Sequence, residues 1–340
     1  MRAYGLTYDT GFCSGGATTH EPFDADAVAR DLRVIREELH CDAVRVTGGV
    51  QDRLETAARH AAAVGLEVWY CPFTNGLSRA ELLDFLLDGA ERAERLRREG
   101  AEVVFVTGSE ISLFTEGFLP GESPAERAAA LADPVRLREL IPGVQAAVRG
   151  FFAEVVPQVR ARFGGRITYA SLPMEGVDWA PFDLVATDAA YRDARTPADH
   201  RERLRTQTAG PKPYAVTEFG CTTYRGAAAR GGRGEDVVVW GDDARPVGLR
   251  EPVVRDEGEQ AAYVLDSLEW FAEDGVDTAF VNTFIRRDMP ASDDPSRDFD
   301  LASFGIVKAL PAPSGTLTWT PKAAFHALAH YGLTRKTARS

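Results

Sequence analysis

Eight short apolar runs, each followed by a longer stretch with helical spacing, constrain this chain more than any other feature. The runs are Ala3–Thr7, Ala43–Thr47, Glu67–Cys71, Val103–Thr107, Ile167–Ser171, Leu184–Thr187, Tyr214–Thr217 and Thr278–Thr283. Most are rich in Val, Ile, Tyr and Phe, and several lack clean alternation, as strands buried on both faces of a parallel sheet do. Between them, Ala25–Leu39 places Val28, Leu32, Ile35 and Leu39 on one helical stripe, with Asp24 able to cap its start. Gln51–Val64 ends at Gly65, a natural residue past a helix end. Further helices are expected at Ser78–Arg98, Pro134–Phe163 (interrupted near Pro142), Ala198–Thr208, Glu257–Glu273 and Pro321–Tyr331, the last with Pro321 in its first turn.

Eight βα repeats predict an α/β chain closed into a (β/α)8 barrel, one domain spanning residues 1–340. A doubly wound open sheet would carry a glycine-rich phosphate turn after its first strand, and Asp9-Thr-Gly-Phe-Cys-Ser-Gly-Gly16 does not fit that pattern in register. The fifth connection looks degenerate, with only the segment around Trp179–Phe182. An irregular insertion, Cys221–Asp256, follows the seventh strand and contains a possible hairpin, Val237–Trp240 then Gly241–Asp243. A loop at that place in a barrel lies on the catalytic face.

Composition narrows the function classes. Asp and Glu number 51 against 39 Lys and Arg, for a net charge of −12, which argues against a nucleic-acid partner. No apolar stretch is long enough for a membrane span or a signal-peptide core. The four cysteines show no CxxC spacing and suit reduced thiols, so a cytoplasmic location is expected. None of the six histidines falls in an HxH or HExxH pattern, and Gly231–Gly234 lacks the Lys-Ser/Thr of a phosphate loop. No metal and no cofactor are therefore expected.

In a barrel the site is built from the C-terminal ends of the strands. Those ends supply Asp9, Arg45, Ser109, Glu110, Tyr191, Glu218, Asn282 and Phe284, with Glu175 and Asp188 at less well-defined positions. Glu110 and Glu218 each follow an apolar strand, where an unused and unpaired carboxylate would be expensive. Strands four and seven lie across the ring from one another, so the two acids can face each other. Glycoside cleavage needs that pair, one protonated for the leaving oxygen and one ionised for the anomeric carbon. Mutual repulsion helps keep one of them protonated near neutral pH.

These positions resemble those of the large clan of retaining glycoside hydrolases built on TIM barrels. Val44-Arg-Val46 is similar to the strand-two segment whose Arg lies beside the nucleophile, and Tyr191 to a strand-six Tyr. Phe304-Gly-Ile-Val-Lys308 followed by Trp319–Leu328 resembles the segment that closes the barrel. The resemblance implies Glu110 as acid/base, Glu218 as nucleophile, Arg45 as its charge partner and Tyr191 as its hydrogen-bond donor. It also implies a small-molecule or oligosaccharide substrate; the strand-end residues Asp9 and Asn282, and Trp179 as a loop aromatic able to stack on a sugar, are candidates for binding it. Two positions depart from the clan: Ser109 stands where Asn normally contacts the sugar 2-hydroxyl, and Phe284 where a Trp often forms a platform.

Other readings stay open on the residues alone. Glu110 and Glu218 could each serve a structural salt bridge, Arg45 could neutralise a buried acid, and Tyr191 could be a core aromatic. Ser109 and Phe284 also fit a barrel that binds a ligand without hydrolysing it, or an acid/base enzyme acting on a non-sugar metabolite.

Overall fold

The computed structural model describes residues 1–196, 198–241, 244–311 and 318–339. Eight strands form one all-parallel sheet: β1 (Ala3–Asp9), β2 (Ala43–Gly48), β3 (Glu67–Pro72), β4 (Val103–Ser109), β5 (Arg166–Ala170), β6 (Val185–Thr187), β7 (Tyr214–Phe219) and β8 (Thr278–Val281). Their spatial order runs β5-β4-β3-β2-β1-β8-β7-β6. A parallel bridge between Ser171 and Thr187, with Asp188 N–H donating to the Ser171 carbonyl at 2.9 Å, joins the two ends. The result is a (β/α)8 TIM barrel.

Two apolar layers account for the near-continuous hydrophobicity of the strands. Ala3, Ala43, Trp69, Val104, Val106, Ala186, Ala215 and Phe280 belong to one cluster, alternating along their strands with residues of a second. That second cluster joins Leu6, Val44, Val68, Phe105, Ile167 and Val216 to helix residues such as Val28, Leu54, Leu86, Val155 and Leu268. The first set fills the barrel interior and the second lies under the helices, the arrangement that closing a parallel sheet requires.

The helices are α1 (Ala25–Glu37), α2 (Gln51–Ala63), α3 (Arg79–Arg98), α4 (Pro134–Arg162), α5 (His200–Thr208), α6 (Glu257–Glu273) and α7 (Ala323–Arg339), with two shorter ones at Ile111–Phe114 and Pro124–Ala132. Asp24 caps α1 through the N–H groups of Asp26 and Ala27. Ser78 and Glu81 form a reciprocal cap on α3.

Some boundaries differ from the sequence expectation. α4 runs unbroken through Pro142 and Pro157. An interior proline costs about 3 kcal/mol. Val144, Val148, Phe151, Phe152, Val155 and Val159 are all buried on this helix, and each such side chain returns about 1.5–3 kcal/mol. Packing therefore outweighs the lost hydrogen bonds. Pro321 is not the first residue of the last helix. It ends a strand (Thr318–Pro321) paired antiparallel with Val307–Leu310, and α7 begins after it. α5 starts at His200, and β8 stops at Val281. Between β5 and β6 there is no long helix, only a single turn at Pro173–Glu175.

Residues 221–256 contain helical turns over Gly231–Val237 and a hairpin of Val238–Trp240 with Pro246–Leu249. Asp242 and Asp243, expected at the hairpin tip, lie outside the described residues.

Candidate active site

The site begins with two irregularities in strand pairing. Alternation from Val104 and Val106 would point position 108 into the barrel and position 109 out of it. Along β4, however, Val106 pairs with Thr168 and Ser109 with Ala170, so three steps on β4 match two on β5. The extra residue is a bulge at Gly108, whose φ of +92° suits glycine. It turns Ser109 inward. On β7, Val216 pairs with Ala279 and Phe219 with Val281, again three steps against two. This second bulge redirects Glu218, which strict alternation after Ala215 and Thr217 would send outward. Both candidate carboxylates thus sit at or next to a bulge, which re-aims side chains at barrel rims.

Arg45, on β2, occupies the centre. It is 1% exposed and fully within the barrel. Its Nη1 donates to Glu218 Oε2 at 3.4 Å and to the Thr217 carbonyl at 3.1 Å. Its Nη2 donates to Asp188 Oδ2 at 3.0 Å and to Ser109 Oγ at 3.0 Å, with Cys71 Sγ at 3.7 Å. Ser109 passes its own hydroxyl proton to Asp188 Oδ2. On the other side of Glu218, Tyr191 O–H donates to Oε1 at 2.5 Å. Asn282 Nδ2 donates to the same oxygen at 3.1 Å and to the Tyr191 hydroxyl at 3.0 Å. Glu218 therefore accepts from three side chains drawn from β2, the loop after β6 and the end of β8.

Glu110 is held differently. Its backbone is left-handed (φ 47°, ψ 41°), and its N–H donates to the Ala170 carbonyl at 3.0 Å. The short helix that follows is clamped from below. Tyr169 O–H accepts from Ile111 N–H at 2.9 Å, and Glu175 accepts from Ser112 N–H at 3.0 Å and from the Tyr169 hydroxyl at 2.7 Å. Glu175 is fully buried and braces backbone.

The environments separate the two acids. Burial pushes Glu110 well above the usual carboxylate range, and repulsion from Asp188, Glu218 and Glu175 adds to this, with Arg45 opposing. Burial and Asp188 also raise Glu218, to about 7, against the pull of Arg45 and the Tyr191 hydroxyl. With donors on both its oxygens, Glu218 is the better holder of charge and Glu110 the better holder of a proton. A proton donor and an anion on one barrel mouth can together cleave or form a bond to an electrophilic carbon.

Arg45, Ser109, Glu110, Tyr191, Glu218 and Asn282 are thus brought together. Asp9 is adjacent but engaged with its own loop, accepting from Gly11 N–H at 2.9 Å and from the Thr19 hydroxyl. Trp179 lines a cavity of about 660 Å3 beside β6, shared with Tyr191, Leu172 and Leu204, where the missing fifth helix leaves the wall uncovered. Phe284 does not join the site. Its ring is fully buried between Tyr8 and Trp319, with centroids 6.1 and 5.4 Å away, in the layer outside the barrel. The chain turns after Asn282, and Phe284 N–H binds the Thr7 carbonyl, which carries the ring away from the mouth.

Two residues have roles beyond what their sequence positions indicated. Asp188 was marked only by its place at a strand end, and proves to be the strongest partner of Arg45. Glu235 was not singled out at all. It lies in the insertion and accepts a hydrogen bond from Arg286 after β8, which also binds Asp288 at 2.8 Å. Nothing local signals that pairing. Above the site, Trp240 and Pro246 of the insertion line a cavity of about 950 Å3 together with Phe12, Asn75, Phe114 and Arg286 from other loops. Among the described residues, no group of three or more His, Cys, Asp or Glu side chains is arranged to hold a metal ion. Nor is any described helix long and apolar enough to cross a membrane.

No protein-family model matches the chain, and no curated protein sequence does. Solved structures do match along its length. The chain is similar to a GH113 beta-1,4-mannanase, with a TM-score of 0.59, 17% identity, and 98% of this chain and 100% of that one covered. The GH113 beta-mannanase AaManA from Alicyclobacillus acidocaldarius, in complex with ManMIm, gives a TM-score of 0.60 at 16% identity, covering 98% of each chain. A GH5_18 protein from Bifidobacterium longum subsp. longum gives 0.57 at 12%, covering 98% of this chain and 79% of the other. The fold is therefore that of TIM-barrel glycoside hydrolases.

Proposed function

We propose that this protein is a glycoside hydrolase or transglycosidase acting by double displacement with retention. Glu218 attacks the anomeric carbon while Glu110 protonates the leaving oxygen. Glu110 then takes a proton from water or from an acceptor hydroxyl, which releases the sugar from Glu218. Arg45, Tyr191 and Asn282 hold Glu218 with one oxygen free of Tyr191, and that oxygen supplies the electron pair for the bond to the anomeric carbon as the C–O bond to the leaving oxygen breaks.

One observation carries this reading: a donor-rich carboxylate on β7 shares its field with a carboxyl group on β4 that is driven to keep its proton. The full-length likeness to mannanase barrels supports it. In this reading Asp9 stands at the rim of the sugar site, and the 221–256 insertion covers part of the catalytic face, where Trp240 and Pro246 line a cavity with residues of other loops. The substrate is an oligosaccharide or small glycoside. A reduced, cytoplasmic setting is part of the proposal, supported by four free cysteines.

The test is incubation with a panel of 2-deoxy-2-fluoroglycosyl fluorides followed by intact mass and peptide mapping. A covalent sugar on Glu218 is expected. An adduct on another residue, or none with any sugar, overturns the assignment.

A second reading rests on Ser109. It is 2% exposed and gives its hydroxyl to Asp188, so it has little left to offer a sugar. That favours a barrel that binds its ligand without cleaving it. Saturable sugar binding with neither adduct nor turnover would identify this case.

A further inference from the structure

Two carboxyl groups meet one guanidinium in this site, and a third, Glu110, lies within its field. Arg45 divides its two terminal nitrogens: Nη2 lies 3.0 Å from Asp188, and Nη1 lies 3.4 Å from Glu218. The shorter, fully buried contact goes to Asp188, whose side chain is 1% exposed against 22% for Glu218. The Asp188 side chain is closed off from solvent, whereas Glu218 is partly open to it. The groups facing it belong to the catalytic floor: Arg45 on β2, Cys71 on β3, Ser109 at the end of β4 and Glu110 just after it, Glu218 on β7, and Tyr191 on its own loop.

We propose that Asp188 is a positioning residue that sets the pH window of the carboxylate pair by taking the larger share of Arg45. This deepens the glycosidase reading and rests on it for its catalytic meaning. The argument is one of charge sharing. Alone with Arg45, Glu218 would form a simple ion pair and stay ionised far into acid. With Asp188 on the second nitrogen, the Arg45–Asp188 pair carries no net charge, and Glu218 ionises without a surplus positive charge beside it. Ser109 completes the device, since its hydroxyl donates to the same Asp188 oxygen that faces Arg45 and holds that carboxylate in place. Asp188 is also a stronger charged neighbour of Glu110 than Glu218 is, and so helps retain the proton there. Both members of the pair move in the same direction, which keeps their order while shifting the working range toward neutral and alkaline pH.

The test uses Asp188→Asn, which keeps the shape and an acceptor for Arg45 but removes the charge. Carboxyl carbons of 13C-glutamate-labelled protein are titrated by NMR, with Glu218→Gln and Glu110→Gln identifying the resonances. In the wild type, Glu218 should titrate near neutrality. In Asp188→Asn, its midpoint should fall by at least about one pH unit, a tenfold rise in its ionised fraction at a given acid pH. The kcat/KM profile should move to acid with it. An unchanged midpoint overturns the proposal, whatever happens to the rate. Should Asp188→Asn fail to fold, the wild type alone still decides: a Glu218 that titrates in the ordinary carboxylate range overturns it. The titration needs no turnover. A shifted midpoint in a protein that cleaves no glycoside sinks the glycosidase reading while leaving the charge sharing intact.

Discussion

Arg45→Met removes the cation from the centre of the site and has a magnitude that follows from burial. Asp188 is 1% exposed and its partner equally so, so solvent gives no screening. Breaking such a pair by removing one member costs about 3–5 kcal/mol, because the remaining charge is stranded. Glu218, at 22% exposure, adds less. Unfolding entropy scales with length, at about 0.7 kcal/mol per degree for a chain of this size. The melting temperature should therefore fall by about 4–7 °C at pH 7.5. The sign of the pH effect is also set. Without Arg45 the stranded carboxylates bind protons more tightly in the folded than in the unfolded state, so stability falls as pH rises and recovers as pH drops. The deficit should shrink markedly at pH 5. Adding Asp188→Leu should restore at least half of it, since a buried pair replaced by apolar groups is often near neutral. Circular dichroism melts of the wild type, Arg45→Met and the double variant at both pH values check this. A loss of less than about 1 kcal/mol at pH 7.5, or one that does not depend on pH, refutes the reasoning.

Further outcomes follow from the same geometry. Glu218→Gln should abolish turnover yet become more stable than the wild type as pH rises from 5 to 8. The folded-state value near 7 lies above the ordinary 4.5, so ionising Glu218 costs up to about 3 kcal/mol, and melts across that range report the gain. Glu110→Gln should lower kcat by about 10²–10⁴-fold on glycosides with poor leaving groups and much less on activated aryl glycosides; equal losses on both would remove Glu110 from the acid role. Tyr191→Phe deletes the 2.5 Å bond to Glu218 and should cost about 10–100-fold in kcat, with little change in the melting temperature.

Much of this was legible in the chain. The eight apolar runs predict the barrel because strand burial leaves a local, periodic trace. Strand-end position alone selects Arg45, Glu110, Tyr191, Glu218 and Asn282, since a closed parallel ring must converge its C-terminal ends. Asp9 stands at the end of β1 but bonds its own loop, Trp179 lies ahead of β6, where its carbonyl accepts from Lys212 before β7, and Phe284 was misplaced because a turn after Asn282 carries it under the helices. Proline at 142 reads locally as a break, whereas packing of the whole helix face decides otherwise.

Periodicity and strand order are properties of neighbouring residues, so the sequence by itself determined the barrel and the ring of polar side chains at its mouth. Aim and charge are not. Glu218 turns to the site because β7 carries one residue more than β8 over the same span, and Ser109 because β4 does the same against β5. Register of that kind exists only once strands are paired. Arg45 and Glu218 are 173 residues apart, and Asp188 takes the other nitrogen of the same guanidinium. How one buried cation is divided between two acids, at 3.0 and 3.4 Å, is a matter of small distances in low dielectric, and only the tertiary structure sets it.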